Sequence, residues 1–333
     1  MTYKVCIIVP VYNVAKHIEL CARSLFEQTF TEIQYVFVND CSLDDSVEIL
    51  EKIIDEYPQR KNDIKILVHE RNKGLACARK TGLQQVDADF ILNVDSDDFV
   101  EPDMVELMYN KAVEEDADIV VCDFILEWGL TTKVAPQKYS PDKTAYTNLL
   151  LSGRVLPGVV NKLIRSGLYA DNNIFPVEGI NVGEDYSITP RLAYYANKIA
   201  KVDQALYHYI QTNSNSYTKS FSEKSAENII SAVCVLNDFF VSLPDYELYR
   251  DSLDEGKLRK KISLLMESKP VMRRKYATIF ADTNEKAKGL QLTKEERITM
   301  FLVSHGLFPM LNIFLFFYWN LLELIQIVKG RRK

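Results

Sequence analysis

Short continuous apolar runs alternate with helical patterns through the first part of the chain. Because these runs lack polar alternation, the strands they form are expected to be buried on both faces. The predicted strands are residues 4–9, 35–38, 64–68, 90–94 and 118–122, and the predicted helices between them are residues 15–28, 44–57, 75–86 and 102–115. Strands that alternate with helices in this way are typical of an α/β domain with a mostly parallel sheet and helices on both faces.

The composition is that of a folded globular protein, with 47% apolar and 26% charged residues. The six cysteines are scattered and include no CxxC pair. The apolar run at residues 5–11 is short, and it fits a first strand better than a secretory signal. These features favour a reducing compartment and free thiols. We therefore expect a cytoplasmic protein.

The net charge of −6 conceals an uneven distribution of charged residues. Residues 257–275 hold eight basic side chains and one acid, and residues 329–333 (KGRRK) add four positive charges. The rest of the chain is therefore strongly acidic. An acidic body with a basic C-terminal region is a poor nucleic-acid binder, but it is compatible with binding at a membrane surface.

A long apolar segment, residues 298–328, precedes these last basic residues. It has one acid, Glu323, and no lysine or arginine, and it is long enough to span a bilayer. However, polar and helix-breaking residues such as Gly306, Pro309 and Asn320 interrupt it. Two interfacial helices that enter one leaflet fit this pattern better than a single span. A buried helical hairpin or an oligomer interface is the alternative.

The sequence pattern changes twice after the α/β portion. Residues 126–180 are irregular and contain many glycines and prolines, so we expect loops and small helices over one side of the sheet. From about Ser222 the pattern is helical, and Leu258, Ile262 and Leu265 are spaced as one helix face. We therefore divide the chain into a domain of residues 1–220 and a helical region of residues 221–333.

Polar side chains follow the predicted strands at the sheet edge where doubly wound folds bind ligands. Asp40 can accept hydrogen bonds from a base or a ribose, and Arg79, in the helix after Gly74, can reach a phosphate. The acidic turn at residues 95–98 (DSDD) can hold a divalent cation that bridges two phosphates, although a solvated turn is the alternative. Neither GxxxxGK[ST] nor GxGxxG follows the first strand, so a diphosphate would depend on metal and side chains for neutralisation.

Eight short segments spread over about residues 3–218 form an ordered set of motifs. They are residues 7–13 (IIVPVYN), 28–29 (QT), 39–42 (NDCS), 72–79 (NKGLACAR), 95–98 (DSDD), 161–163 (NKL), 183–185 (GED) and 207–209 (YHY). In order and spacing they resemble the family 2 glycosyltransferases. The resemblance implies a GT-A fold, which is Rossmann-like, and inverting transfer of a sugar from a nucleotide-diphosphate sugar. Three positions depart from the family pattern, with Asn39 in place of the first aspartate, Cys41 in place of glycine and Ile210 in place of a frequent arginine.

The resemblance also implies roles for individual residues in the first half of the domain. Pro10, Tyr12 and Asp40 would contact the base and the ribose of the nucleotide. Arg79 would face the nucleotide and the sugar. In the acidic turn, Asp97 would bind Mg²⁺ or Mn²⁺ directly, and Asp95 and Ser96 would contact the substrate.

Further roles fall downstream in the chain. Asp185 resembles the catalytic base of inverting members, with Glu184 beside it at the substrate. Ser216 lies in a stretch that closes over the diphosphate in relatives. Two alternatives stay open: Asp185 as a helix cap, since acids favour helix N-termini, and His208 as a packing residue instead of a metal ligand.

We therefore expect a metal-dependent, inverting glycosyltransferase that uses a nucleotide-sugar donor, most simply a UDP-sugar. The expected acceptor is a saccharide or a lipid-linked oligosaccharide in bacterial surface polysaccharide assembly, with the protein at the inner face of the cell membrane. A sugar nucleotidyltransferase is one alternative, but it normally needs a glycine-rich phosphate loop, which this sequence lacks. A non-catalytic partner subunit or membrane scaffold is the other, and the acids Asp40, Asp97 and Asp185 argue against it. Oligomerisation is left open.

Overall fold

The computed structural model describes residues 2–213 and 221–328. The chain divides into two compact units. Unit 1 comprises Met1–Leu150 and Arg154–Tyr217, and unit 2 comprises Leu151–Gly153 and Thr218–Lys333. Unit 1 contains the sheet and the motifs described above, whereas unit 2 is helical in its described part.

Unit 1 is built on one sheet of nine described strands. The strands are β1 (Tyr3–Val11), β2 (Ile33–Asn39), β3 (Ile64–Val68), β4 (Ala88–Asn93), β5 (Phe99–Val100), β6 (Ile119–Glu127), β7 (Thr132–Ala135), β8 (Lys162–Arg165) and β9 (Ile199–Ile210). The helices of this part of the chain are α1 (Ile18–Phe26), α2 (Ser46–Glu56), α3 (Leu75–Leu83), α4 (Met104–Glu115), α5 (Lys143–Leu151), α6 (Ser166–Ala170) and α7 (Glu184–Tyr195). The order across the sheet is β3-β2-β1-β4-β8-β6-β9-β5, and β7 pairs with β6.

The strands β3, β2, β1 and β4 are parallel to one another, as predicted. All five predicted strands and the four helices between them are present, with shifted ends. Beyond β4 the sheet is mixed, because β8 lies antiparallel between β4 and β6. The sequence did not predict β8, since its four residues (KLIR) form no long apolar run.

Helices cover both faces of this sheet. Along β1, Val5, Ile7 and Val9 enter one buried cluster, and Cys6 and Ile8 enter a second cluster on the opposite face. Each fully buried apolar side chain of this size contributes about 1.5–3 kcal/mol to folding. Burial on both faces explains the continuous apolar runs, and it holds the carboxyl ends of the parallel strands at one edge.

The described part of unit 2 consists mainly of the helices α8 (Glu223–Val241), α9 (Arg250–Glu267), α10 (Pro270–Thr278), α11 (Lys294–Ser304) and α12 (Phe308–Val328). The side chain of Ser222 caps α8 by accepting the Ser225 N–H. The predicted stripe of Leu258, Ile262 and Leu265 is buried in the core of the unit. Within the described ranges, no helix has the length and apolar character that crossing a membrane requires.

Candidate active site

The carboxyl ends of β1, β2, β3 and β4 meet at one edge of the parallel half of the sheet. Tyr12, Asp40, His69 and Asp95 each lie within two residues of the end of their strand. Tyr12 presents a 36% exposed aromatic side chain there, whereas Asp40 and His69 are buried. The edge therefore combines an open aromatic surface with a buried polar network.

The Asp40 carboxylate holds the turn that precedes α3. Its Oδ1 accepts the Lys73 N–H at 2.8 Å and lies 2.6 Å from His69 Nδ1, while its Oδ2 accepts the Gly74 N–H at 2.7 Å. Gly74 has a φ of 90°, and a Cβ there would lie 2.3 Å from the Asn181 side chain, so the turn requires glycine. A carboxylate has about four acceptor positions, and these contacts among the described residues use three of them.

Arg79 is buried on α3 and binds three carboxylates, which with it form the Arg79 cluster (Arg79, Asp95, Glu184 and Asp185). Its Nη2 donates to Asp95 Oδ1 at 2.7 Å, and its Nη1 donates to Asp185 Oδ1 at 2.7 Å and also to Glu184. The guanidinium thus links the end of β4 to the first turn of α7. Although Arg79 was expected to face the nucleotide and the sugar, its Nη groups are directed at these acids.

Burial and neighbouring charges shift both acids of α7. Burial raises the pKa of Glu184 well above its usual range, and the charge of Asp185 adds to this rise against the effect of Arg79. Burial also raises the pKa of Asp185, whereas Arg79 lowers it and Asp95 raises it further. The Asp185 side chain is 24% exposed and that of Glu184 is 6% exposed. Asp185 is therefore the one of the two that an incoming group can reach.

The start of α7 explains how Asp185 reaches this position. Gly183, with a φ of 84°, precedes the helix, and Glu184 and Asp185 form its first turn. The Asp185 carboxylate accepts from Arg79, and no side-chain cap hydrogen bond is made at the start of this helix. The helix-cap alternative therefore does not account for its side-chain contacts, although its charge still favours the helix N-terminus.

Asp98 ties the acidic turn at residues 95–98 to β9. Its carboxylate accepts the Tyr207 hydroxyl and the Ile210 N–H, each at 2.8 Å. Burial, followed by the charges of Asp97 and Asp95, raises its pKa well above the usual range. The third acid of the turn thus has a structural role in joining the turn to β9.

This geometry can be compared with known proteins. The family model described as Glycosyl transferase family 2 matches residues 6–159. EpsH of Bacillus subtilis (strain 168), a provisionally assigned glycosyltransferase, is 31% identical over 260 residues, which are 76% of this chain and 74% of EpsH. The chain belongs to glycosyltransferase family 2.

Other relatives of this glycosyltransferase agree in fold. The poly(ribitol-phosphate) beta-N-acetylglucosaminyltransferase TarS of Staphylococcus aureus (strain Mu50 / ATCC 700699) is 29% identical over 258 residues, covering 76% of this chain and 42% of TarS. The crystal structure of S. aureus TarS 1-349 in complex with UDP-GlcNAc matches with a TM-score of 0.73 and 21% identity, over 95% of this chain and 92% of that one. The expected GT-A fold is thereby confirmed.

The GT-A fold leads us to expect a divalent metal ion, and the chemistry around Asp97 is suited to binding such an ion. Asp97 is half-buried, and its carboxylate accepts a hydrogen bond from Asn213 Nδ2 at 2.7 Å. Burial and then the Asp95 charge raise its pKa, so a cation beside it would be favoured. No group of three or more His, Cys, Asp or Glu ligands occurs among residues 2–213 and 221–328. Mg²⁺ sites in nucleotide enzymes commonly need only one or two carboxylates besides the phosphates.

The remaining predicted residues of this glycosyltransferase lie in different surroundings. Pro10, within β1, and Ser96 are buried. Ser216 lies outside the described residues. His208 has Glu127 Oε1 2.8 Å from Nδ1 and Glu101 Oε1 2.9 Å from Nε2, so these contacts support the packing alternative.

Sequence reasoning missed several residues that support the edge. His69 bridges Asp40 to Thr81 Oγ1, which lies 2.9 Å from its Nε2. The Tyr207 hydroxyl joins two points of the acidic turn, since it also accepts the Asp95 N–H at 3.1 Å. The motif YHY was a signal for Tyr207, but its partner lies 109 residues away in the sequence.

Two of the departures from the family pattern, Cys41 and Ile210, do not disrupt the edge. Cys41 has a φ of 62°, the left-handed conformation in which glycine is usual, so this turn does tolerate a side chain. Ile210 contributes its backbone N–H to Asp98, a bond that does not depend on its side chain.

Proposed function

We propose that this glycosyltransferase transfers a sugar from a UDP-sugar to a saccharide acceptor with inversion of the anomeric carbon. The observation that carries the proposal is the Arg79 cluster, which presents the partly exposed Asp185 beside the strand edge that ends in Asp95 and Asp97. The UDP-GlcNAc and UDP complexes of the TarS neighbour support a UDP-sugar donor. Residues 1–220 would form the catalytic domain.

The proposed mechanism is a single displacement. The Asp185 carboxylate takes the proton of an acceptor hydroxyl, whose oxygen forms a bond to the anomeric carbon. The bond between that carbon and the donor phosphate breaks on the opposite face, and the departing diphosphate takes the electron pair. An α-linked donor therefore gives a β-linked product. The raised pKa of Asp185 makes it a stronger base than an ordinary aspartate.

Neighbouring residues would prepare this step. Arg79 holds the Asp185 carboxylate in one orientation, while Tyr12 and the remaining acceptor position of Asp40 contact the base and the ribose. A divalent cation held by Asp97 would supply positive charge at the diphosphate. The GDP-Man and Mn²⁺ complex of a Pyrobaculum calidifontis mannosyltransferase, a GT-A neighbour with a TM-score of 0.52, supports such a metal.

Metal dependence gives one prediction. Asp97→Asn keeps the size of the side chain but removes the charge that would bind the cation. The Mn²⁺ concentration that gives half-maximal activity should therefore rise at least about tenfold. UDP release at increasing Mn²⁺ concentration, after dialysis against EDTA, measures this. Asp89→Asn, at a half-exposed acid on β4, is the control and should keep the wild-type titration. Full wild-type activity in EDTA would contradict metal dependence.

For the acceptor, we propose a saccharide or a lipid-linked oligosaccharide of the bacterial surface. TarS acts on poly(ribitol-phosphate), and this supports a surface-polymer role. A membrane surface would bring the enzyme to a lipid-linked acceptor. The helical region of residues 221–333 is the proposed contact, and the inner face of the cell membrane is the proposed location.

The described part of α12 presents an apolar face to solvent. Leu311 and Leu315 point into the core of unit 2 and are fully buried. Other large apolar side chains of the helix are each more than half exposed: Met310, Ile313, Phe316, Phe317, Leu321 and Leu324. The Arg274 guanidinium lies 4.9 Å above the Phe308 ring at the start of the helix, and the basic sequence 329–333 follows its end. An apolar helix face between cationic groups is typical of a helix that binds anionic lipid.

Vesicle flotation tests this contact. Wild-type protein should float with phosphatidylglycerol-containing vesicles, and the double substitution Phe316→Ser and Phe317→Ser should weaken binding by about tenfold or more, because each Phe loses about 1.5–3 kcal/mol of burial. Leu130→Ser, at a fully exposed leucine of unit 1, is the control. Equal flotation of wild type and double variant would overturn the lipid proposal. If the wild-type protein is a dimer and the double substitution dissociates it, a second copy of the chain covers this helix face instead of lipid.

The activity itself is tested by UDP release from a panel of UDP-sugars with Mn²⁺, using water and simple glycosides as acceptors. We expect release from at least one donor. Pyrophosphate formation from UTP and a sugar 1-phosphate would support a nucleotidyltransferase instead. No turnover of any donor would favour a non-catalytic partner subunit.

A further inference from the structure

Lys162 is a buried lysine whose ammonium group lies among carbonyl oxygens. The residue is 1% exposed, and its Nζ donates to the carbonyls of Gly158 at 2.6 Å and Leu156 at 3.3 Å and to Asn161 Oδ1 at 2.9 Å. Three acceptors match the three N–H donors of an ammonium group. Because burying a charge is costly, this complete set of hydrogen bonds is needed to keep it there. Lys162 therefore pins the loop formed by residues 156–159.

The same loop is also bound by α7, the helix whose first turn contains the proposed base, Asp185. Thr189 is fully buried on α7, and its Oγ1 donates to the Pro157 carbonyl at 2.5 Å. The carbonyls of three consecutive loop residues thus have donors from two different elements. At the other end, Asn161 Nδ2 anchors the segment to β6 by donating to the Cys122 carbonyl at 2.7 Å.

The pinned loop contacts the proposed base. A Cβ added at Gly158 would lie 3.8 Å from Asp185 Oδ2, so this loop lies against the carboxylate. The neighbouring Val159 backbone lowers the pKa of Asp185, which opposes the effect of burial. Arg79 holds Asp185 from α3, so the loop supplies a second restraint from another element. A displacement of the loop would move the base without touching the residues assigned to the donor.

We propose that Lys162 is a positioning residue that orients Asp185 for proton abstraction by fixing the loop at residues 156–159. The inference rests on the proposed function, because it assigns Asp185 as the base. None of the three hydrogen bonds from Lys162 Nζ goes to Asp185. Its replacement should therefore lower kcat and leave donor binding intact.

The protonation of Lys162 offers an independent readout. Burial lowers its pKa to about 8, and the nearby charges of Asp185 and, when ionised, Cys122 oppose this effect. As the pH rises through that value, the ammonium group loses a proton. The neutral amine has two N–H donors for three acceptors, so it restrains the loop less. Wild-type kcat should therefore decrease on the alkaline side.

The test uses UDP release from UDP-GlcNAc with Mn²⁺, measured over donor concentration and pH. Lys162→Met keeps an unbranched side chain of similar size and removes every donor. We expect kcat to fall by about 10²-fold, since small misplacements of catalytic groups cost about that much. The donor KM should stay within about twofold, and the alkaline decrease should disappear. Lys4→Met, at an exposed lysine paired with Asp89, should behave as wild type.

Thr189→Val is a second variant that removes one tether of the loop and keeps the side-chain shape. It should lower kcat less than Lys162→Met, again without a change in donor KM. If thermal melting shows that Lys162→Met does not fold, the kcat and donor KM of Thr189→Val alone test the positioning role. Unchanged kcat in the folded variants, or matching losses of kcat and donor affinity, would overturn the positioning role. A wild type that releases no UDP from any donor would overturn the proposed function, and this inference with it.

Discussion

Replacing Asp185 with asparagine is expected to lower kcat by about 10²–10⁴-fold, the usual contribution of a general base. Asparagine has the same shape, but it cannot take a proton. The affinity for UDP should stay within about twofold, because the proposed base would contact the acceptor and not the nucleotide. UDP release gives kcat, and calorimetric titration with UDP gives the affinity.

The pH dependence of wild-type kcat adds a second measurement. Burial and the charge of Asp95 raise the pKa of Asp185 against the effect of Arg79, so kcat should fall on the acid side at a pH above the usual aspartate value of 3.8. Asp185→Asn should lack this acid limb. Asp203→Asn, at a side chain that is 88% exposed, is the control. Wild-type kcat in Asp185→Asn would exclude Asp185 as the base.

Replacing Arg79 with leucine is expected to destabilise the protein by about 3–5 kcal/mol at neutral pH, the usual cost of leaving buried charges without their partner. Three carboxylates would lose the cation that now binds them, and two of these acids come from one turn of α7. Activity should also be lost, since the orientation of Asp185 depends on this contact. Urea denaturation gives the free energy of unfolding.

The loss of stability in Arg79→Leu should depend on pH in a defined direction. The pKa of Glu184 is already raised above its unfolded value by burial and by Asp185. A group with a raised folded pKa contributes stability at low pH, and this contribution is lost as the pH rises through that pKa. Without Arg79 the shift should grow, so the variant should regain stability as the pH falls. Arg165→Leu, at a half-exposed arginine paired with Asp118, should be far milder. Equal losses in both variants at all pH values would contradict the account.

The parallel half of the fold could be predicted because burial on both faces leaves a strong signal in the sequence. β1 is a continuous apolar run for that reason. β8 could not be predicted, since its short segment becomes a strand only by pairing with β4 and β6. Lys162, within it, is a charged residue that no apolar pattern marks as buried.

The sequence predicted individual residues of the candidate site but not the contacts between them. The motifs identified Asp40, Asp97 and Asp185 individually. The contact between Arg79 and Asp185 spans 106 residues of sequence, and no local pattern encodes such a pair. The acids of the turn cannot be told apart in the sequence. Their hydrogen-bond partners distinguish Asp98, which supports the turn, from Asp97, the proposed cation ligand.

The most direct test of a UDP-sugar site at this edge is a crystal structure of the full chain soaked with UDP and Mn²⁺, with the ion located by its anomalous scattering. We expect Mn²⁺ to be bound by the Asp97 carboxylate and the diphosphate, with the uracil beside Tyr12 and Asp40. UDP bound away from the carboxyl ends of β1, β2 and β4, or Mn²⁺ bound without Asp97, would contradict the assignment.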